Sequence, residues 1–392
     1  MENAVILAGA RTPIGAFSGS LSGFTGAQLG SIAIKEALTR AGVDPAEVDE
    51  VLMGNVLTGG SGQAPARQAS LGAGIPNSVP CTTVNKVCGS GMKTIMMAAQ
   101  AIKCGDAKIV VAGGMESMTN APYALDKARA GYRMGNGTLL DLMIHDGLWD
   151  PYSNVHMGSM GDKTSREFNV SREQLDEFAA ESYRRALDAQ ANGRLSDEIT
   201  PVSVPQRKGD PIQVSQDEEP GKGDPAKLPG LRAAFDKEGV TTAGNASSIN
   251  DGGAAAIVAS ESEANRRGAK PLGRILAYSQ HAQEPEWFTT APAFAIDKLL
   301  QANGLKVEDI DLFEVNEAFS VVAMVVADKV KIPHEKLNVN GGAVALGHPI
   351  GMTGTRLILT ALYELKRRGG KYAVCSPCIG GGEATAVLLE RL

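Results

Sequence analysis

The chain is poor in cysteine, in aromatic residues and in positive charge. Among its 392 residues only five are cysteines, Cys81, Cys88, Cys104, Cys375 and Cys378. So sparse and odd a set does not make a disulfide framework, and reduced thiols in a cytoplasmic compartment fit better. The 38 basic residues are outnumbered by 44 acidic ones, a net charge of −6. The basic footprint of a nucleic-acid binder is missing, and an anionic ligand has to meet a local basic patch. No apolar run reaches the length of a membrane span. No basic segment precedes the apolar strand Ala4-Val5-Ile6-Leu7, so no secretory or transit peptide is expected, and Glu390-Arg391-Leu392 is not a peroxisomal address. There is no Walker loop and no GxGxxG after a strand with an acidic residue at the right distance, which argues against nucleotide hydrolysis and nicotinamide binding. Cys375-Ser376-Pro377-Cys378 has CxxC spacing, but no second ligand pair stands at suitable distance, so no metal is expected.

What the sequence does contain is a duplication. Residues 33–54 align without a gap on 295–316. Each copy reads as an amphipathic helix ending at a glycine, Gly42 or Gly304, then a short acidic turn, then an apolar strand. Residues 91–111 and 354–374 form a second pair in the same order, each a helix running into a strand. Helices alternating with strands imply an α/β protein, and the length suggests two or three domains. The halves are expected at 1–118 plus 251–270 and at 271–392, with Ala254–Ala259 as a buried strand of the first. Residues 119–250 have no counterpart in the second half and read as an inserted lid or oligomerisation element. That insertion contains a helix from Arg172 to Asn192 capped by Ser171, and a polar arm, 208–229, that reads as a surface loop.

Four segments carry reactive residues. Cys88 lies in Asn85-Lys86-Val87-Cys88-Gly89-Ser90-Gly91, just before a helix. Backbone N–H groups at a helix start favour an anion and lower a thiol's pKa, which makes Cys88 a candidate nucleophile; a small side chain packed at a tight turn is the plain alternative. His348 sits in the glycine-dense loop Asn340–Gly351, where an imidazole is a natural base or simply a loop residue. Gly351 falls opposite Cys88 in the repeat, so the two loops leave corresponding edges of the halves. Asn316, after an apolar strand, either positions a water or caps the next helix. Cys378 enters the glycine string Gly380-Gly381-Gly382, whose N–H groups suit an enolate or oxyanion.

Taken together these motifs resemble the thiolase family over essentially the whole chain. Ala10-Arg11-Thr12-Pro13-Ile14-Gly15 is similar to the family's opening, the Cys88 segment to its nucleophile loop, and Asn316-Glu317-Ala318-Phe319, Gly347-His348-Pro349 and Cys378-Ile379-Gly380 to its other catalytic loops. The resemblance implies two βαβαβαββ halves with an inserted loop domain. It implies that His348 deprotonates Cys88, which takes the acyl group from acyl-CoA. Cys378 then removes the α-proton of a second acetyl-CoA, whose carbanion attacks acyl-Cys88. His348 with a water on Asn316 forms one oxyanion hole, and the N–H groups of Cys88 and Gly380 the other. The resemblance also assigns Leu148, His156, Met157, Lys222, Phe235, Ala243, Ser247, Ala318 and Phe319 to the CoA channel. Coenzyme A is then substrate and product, with no tightly bound cofactor. Where family members carry an arginine near the nucleotide this chain offers Lys222, and where biosynthetic members have a methionine in the acyl pocket it has Trp287-Phe288.

Gly347-His348-Pro349-Ile350-Gly351-Met352-Thr353-Gly354 and the chain length resemble the biosynthetic branch. That branch implies reversible condensation of two acetyl-CoA to acetoacetyl-CoA, and a homotetramer to which Tyr123, Leu139, Leu140 and Met143 offer contact. Three rivals remain. A degradative thiolase acting on longer 3-ketoacyl-CoAs shares every catalytic residue. A cysteine hydrolase would use Cys88, Asn316 and His348 and leave Cys378 without a task. A non-catalytic acyl-CoA-binding scaffold would bind without covalent labelling.

Overall fold

The structure is a computed structural model and describes residues 2–392. In chain order, the elements that position the site are β1 (Ala4–Arg11), α1 (Gly26–Ala41), β2 (Glu50–Gly54), β3 (Cys81–Val84), α2 (Ser90–Cys104) and β4 (Ile109–Ser117). After the inserted helices α3 (Met157–Glu167) and α4 (Arg172–Ala191) come β5 (Asn250–Ser260), β6 (Gly273–Ala282), α5 (Ala291–Ala302), β7 (Leu312–Val315), α6 (Ser320–Val330), α7 (Thr353–Arg368), β8 (Tyr372–Ser376) and β9 (Glu383–Arg391).

The repeat is visible strand by strand. In the first half the order is β1-β5-β4-β2, with β1/β5 and β5/β4 antiparallel and β4/β2 parallel. In the second it is β6-β9-β8-β7, with β6/β9 and β9/β8 antiparallel and β8/β7 parallel. β3 extends the first half alongside β2. The halves meet edge to edge at β1 and β6 through Val5↔Arg274 and Ile6↔Gly273. The helices repeat as well. α1 opens with a Thr25–Gln28 capping box and closes at Gly42 with φ +61°, and Gly304 after α5 has φ +64°. An α-left-handed residue after the last turn is cheapest as glycine.

Apolar periodicity then sets the layers. Strands β4 and β5 are buried along their whole length, as the near-continuous runs IVVAGG and AAAIVAS require of strands covered on both faces. One core joins the inner faces of both half-sheets (Ile6, Val110, Ala254 and Ala373, Val387, Leu389) to α2 and α7. The outer face of the first half packs on α1 (Ile34, Ala37, Leu38), and that of the second on α5 and α6 (Ile296, Leu299, Val322). The result is an α/β/α/β/α stack with α2 and α7 at its centre. Those two helices approach so closely at their N-termini that a Cβ on Gly354 would meet the Met92 nitrogen at 2.3 Å, and one on Gly91 the Gly351 oxygen at 2.9 Å.

The insertion differs from the sequence reading in two places. The arm 208–229 is not simply a surface loop. Asp217 within it is buried, with both carboxylate oxygens on the Arg11 guanidinium at 2.7 and 2.9 Å, and Arg11 Nε donates to Glu198 at 2.6 Å. Met143, expected at an intersubunit contact, packs inward with Val56, Leu57, Met118 and Ile350; Tyr123 and Leu139 are exposed. Helix α4 has the Ser171 cap, completed by Gln174. Among the described residues no helix is long and apolar enough to cross a membrane.

Candidate active site

The Cys88 loop is held in a strained turn. Val87 has φ +46°, a region that a β-branched residue rarely enters. Its neighbours hold it there: Ser90 Oγ donates to the Val87 carbonyl at 2.6 Å, Lys86 N donates to Ser90 Oγ at 2.8 Å, and Val87 N donates to Asn85 Oδ1 at 3.0 Å. Lys86 also pairs with Glu383, tying the turn to the second half. Gly89 leaves room for Ile379, whose Cδ1 would lie 2.3 Å from an added Cβ. Cys88 therefore stands just ahead of α2, at the seam between halves.

Its environment differs from what the helix start suggests. Burial dominates and pushes the Cys88 thiol up to about 11, against the N–H groups of Gly380 and of Cys88 itself, which favour the thiolate; the charge of Glu116 raises it further. The resting residue is a thiol, so a base is needed. His348 is that candidate. It is buried, its N–H donates to Asn250 Oδ1 at 2.9 Å, and Gly347 before it takes φ +101°. Burial, then the Arg356 charge, push His348 down to about 3, which keeps the imidazole neutral at rest and disfavours its protonated form.

Its tautomer follows from a residue that the sequence reading did not single out. Thr353 Oγ1 lies 2.6 Å from His348 Nδ1 and donates its own proton to the Pro349 carbonyl at 2.9 Å. The hydroxyl must then accept from Nδ1–H, leaving the Nε2 lone pair as the basic position. Asn316 Nδ2 stands 3.4 Å from that Nε2, and Asn316 Oδ1 is buried without a protein partner. Asn316 is not a helix cap, because α6 begins at Ser320 with Phe319 in the cap position. Thr353→Val keeps the volume and removes the acceptor. Steady-state assays should then show kcat lowered by about ten- to a hundredfold with KM little changed.

Cys378 is fully buried beside Cys88. Burial and then the Cys88 charge raise its thiol well above the ordinary range, while the Ala318 N–H favours the thiolate. Cys375, its CxxC neighbour, belongs to the central core instead and donates to the Leu357 carbonyl, so the two sulfurs do not form a pair. All five cysteines are free thiols.

One cavity of about 460 Å³ opens onto this seam. Cys88, His348 and Gly380 line it; Asn316 and Cys378 are fully buried, Asn316 beside the His348 ring and Cys378 within reach of the Cys88 charge. All nine residues expected in the CoA channel line it too: Leu148, His156, Met157, Lys222, Phe235, Ala243, Ser247, Ala318 and Phe319. His156 stacks on Phe235 at 4.6 Å, and its Nδ1 accepts from Gly158 N at 3.1 Å, which leaves Nε2–H free to donate. Lys222 is half-exposed and is the one lysine or arginine on the cavity wall among the described residues; Glu219 lines the wall with it. Of Trp287-Phe288, only Phe288 reaches the cavity, where its ring meets Phe319 edge-on at 6.5 Å; Trp287 lies under the Lys163 ammonium.

The chain matches the family described as "Thiolase, N-terminal domain" over residues 4–262 and "Thiolase, C-terminal domain" over 269–391. It is 53% identical to Acetyl-CoA acetyltransferase 2 of Arabidopsis thaliana, over 98% of this chain and 96% of that protein. It is 47% identical to Acetyl-CoA acetyltransferase of Allochromatium vinosum over the whole of both chains. A mitochondrial Acetyl-CoA acetyltransferase of Bos taurus is 47% identical over all of this chain and 92% of its own length. With this similarity along its full length, the duplicated fold and the four loops meeting at one cavity, the chain belongs to the thiolase family.

Proposed function

We propose that the protein is an acetyl-CoA C-acetyltransferase that interconverts two acetyl-CoA with acetoacetyl-CoA and CoA. The observation that carries this reading is a thiol and a neutral imidazole, Cys88 and His348, on the wall of one largely apolar cavity, with the buried Cys378 thiol near enough to feel the Cys88 charge. The Cys88 sulfur attacks the thioester carbonyl as its proton passes to His348 Nε2. The tetrahedral oxyanion collapses, and the departing CoA sulfur takes the Cys378 proton, leaving a thiolate there beside protonated His348. The Cys378 thiolate then removes an α-proton from the second acetyl-CoA, the carbon attacks acetyl-Cys88, and the leaving Cys88 sulfur recovers its proton from His348. An acetyl α-proton is weakly acidic, so a placed base and preorganised N–H donors have to share the barrier. The N–H groups of Cys88 and Gly380 serve one oxyanion, and His348 with a water on Asn316 serves the other.

CoA is substrate and product in this reading, and no cofactor is held between turnovers. Residues 119–250 act as the domain that covers the pantetheine arm, with 1–118 plus 251–270 and 271–392 as the two catalytic halves. Lys222 faces the phosphates, though Glu218 and Glu219 beside it weaken that attraction. A homotetramer is supported by the exposed apolar surface of Tyr123, Leu125, Leu139 and Tyr152 on the inserted segment. A cytoplasmic location is supported by the five unpaired thiols.

Two measurements test the reading. Intact-protein mass spectrometry after mixing with acetyl-CoA should show an acetyl adduct; its absence would favour a non-catalytic scaffold. Steady-state rates should favour acetoacetyl-CoA over six-carbon and longer 3-ketoacyl-CoAs, because the Phe288 ring takes up room on the cavity wall; the opposite preference would make the protein a degradative thiolase. Phe288→Ala should raise kcat/KM for the six-carbon substrate relative to acetoacetyl-CoA by about tenfold or more, the scale on which a pocket resolves a methylene.

A further inference from the structure

Glu116, at the C-terminal end of β4, has no part in the steps above, yet it is fully buried behind the site. Its Oε1 accepts from Asn55 Nδ2 at 2.6 Å and from Leu57 N at 3.1 Å; its Oε2 accepts from Val56 N at 3.0 Å and from Gly351 N at 2.9 Å. Four donors occupy the four lone-pair sites of a carboxylate, and a protonated carboxyl would have an O–H with nothing to receive it. All four partners are neutral, so the charge is balanced by N–H dipoles rather than by a cation.

The position of these donors is informative. Three come from the segment that follows β2 in the first half. The fourth, Gly351, is in the loop of the second half that carries His348 three residues earlier. The fit there is tight: a Cβ on Gly351 would meet Glu116 Oε2 at 2.7 Å and the Met115 carbonyl at 2.5 Å. In the repeat Gly351 is the counterpart of Cys88, so the carboxylate grips the second half at the mirror position of the nucleophile.

We propose that Glu116 is a positioning residue of the acyl-transfer site, fixing the His348 loop to the first half through Gly351. This rests on the roles given above to Cys88 and His348. The other groups bearing on Cys88 are Cys378 and the N–H groups of Cys88 and Gly380; Lys86 on the Cys88 loop is paired with Glu383 of β9, and Arg356 acts on His348. Burial pushes Glu116 up to about 7 against its four donors, so at pH 8 it carries its charge. A negative charge there opposes thiolate formation at Cys88.

Glu116→Gln keeps the shape, removes the charge and turns an amide NH₂ toward two of the four N–H donors, so the clamp that includes Gly351 can no longer close on all four. Two readouts apply. The kcat for acetoacetyl-CoA thiolysis at pH 8 should fall about ten- to a hundredfold with KM for CoA little changed, as expected when a base is displaced and the channel is not. The pH midpoint for alkylation of Cys88 by iodoacetamide, followed by peptide mass mapping, should move down by about half a unit or more. An unchanged midpoint, or an unchanged kcat, overturns the proposal. Glu116→Asp retains the charge but shortens the reach, and it carries the test if the glutamine variant does not fold: reduced kcat with the wild-type midpoint supports the proposal, and wild-type kcat overturns it. The alkylation arm needs no acyl-CoA. Failure of the wild type to turn over acetoacetyl-CoA would therefore count against the proposed function and leave the Glu116 inference to be judged on the alkylation midpoint.

Discussion

Cys88→Ala is expected to abolish the acetyl adduct and to lower turnover by a factor on the order of 10⁴ or more, the scale seen when a covalent nucleophile is removed. Cys378→Ala should behave differently. With Cys88 and His348 intact, acetyl transfer from acetyl-CoA to the enzyme should persist, while condensation and acetoacetyl-CoA cleavage should fall by a comparable factor, because the α-proton has lost its base. The pair of variants separates the two half-reactions. It also rules on the hydrolase alternative, which uses Cys88, Asn316 and His348 alone: full turnover in the Cys378 variant would refute carbon–carbon bond formation through that thiol. Burial and the Cys88 charge hold the Cys378 thiol protonated at rest, against its own N–H and that of Ala318.

Arg11→Leu is the substitution with the largest expected effect on stability. Arg11 is wholly buried at the end of β1, between Glu198 at 2.6 Å and Asp217 at 2.7 Å. Asp217 also accepts from Ile14 N at 2.7 Å. Removing the guanidinium strands two carboxylates out of water, and breaking a buried ion pair from one side costs about 3–5 kcal/mol. Urea denaturation should show the loss as a lower midpoint. Limited proteolysis should show where it falls first, in the arm 208–229, whose anchor is Asp217. That arm leads into Lys222 and Glu219 on the cavity wall, so KM for CoA should rise in the same variant. A shift below about 1 kcal/mol would mean that water reaches the carboxylates and that the cluster is no anchor.

The sequence carried the reactive groups openly and their control poorly. Cys88, His348 and Cys378 stand out because glycines surround them and because few thiols and histidines compete for attention. The duplication was readable because helix, glycine stop and strand recur in fixed order, and the matching strand directions of the two halves follow it. What stayed hidden depends on contacts distant in sequence. The Arg11–Asp217 pair joins residues 206 positions apart, and the Glu116–Gly351 contact 235. No local pattern encodes such a partner, so the arm read as surface and Glu116 drew no notice. The Cys88 environment went astray for a related reason. A helix start is visible in sequence and argues for a thiolate, whereas the burial that outweighs it comes from residues distant in sequence, among them Val56, Met118, Met143 and Ile350. Thr353 was within a motif already noted, but its role depends on which ring nitrogen it meets.

The close packing of α2 on α7 bears on how such a site could arise. Two identical chains meeting in this way would have to place the same residue at both mirrored loops, and a thiol at each would leave no place for the base. Joining the copies in one polypeptide lifts that restriction. One loop keeps Cys88, while at the corresponding position the other has Gly351, whose bare backbone is what allows Glu116 to hold it. The asymmetry that catalysis requires is thus a consequence of covalent continuity, and a protein split between residues 262 and 269 and reassembled from its two unlike halves should retain it.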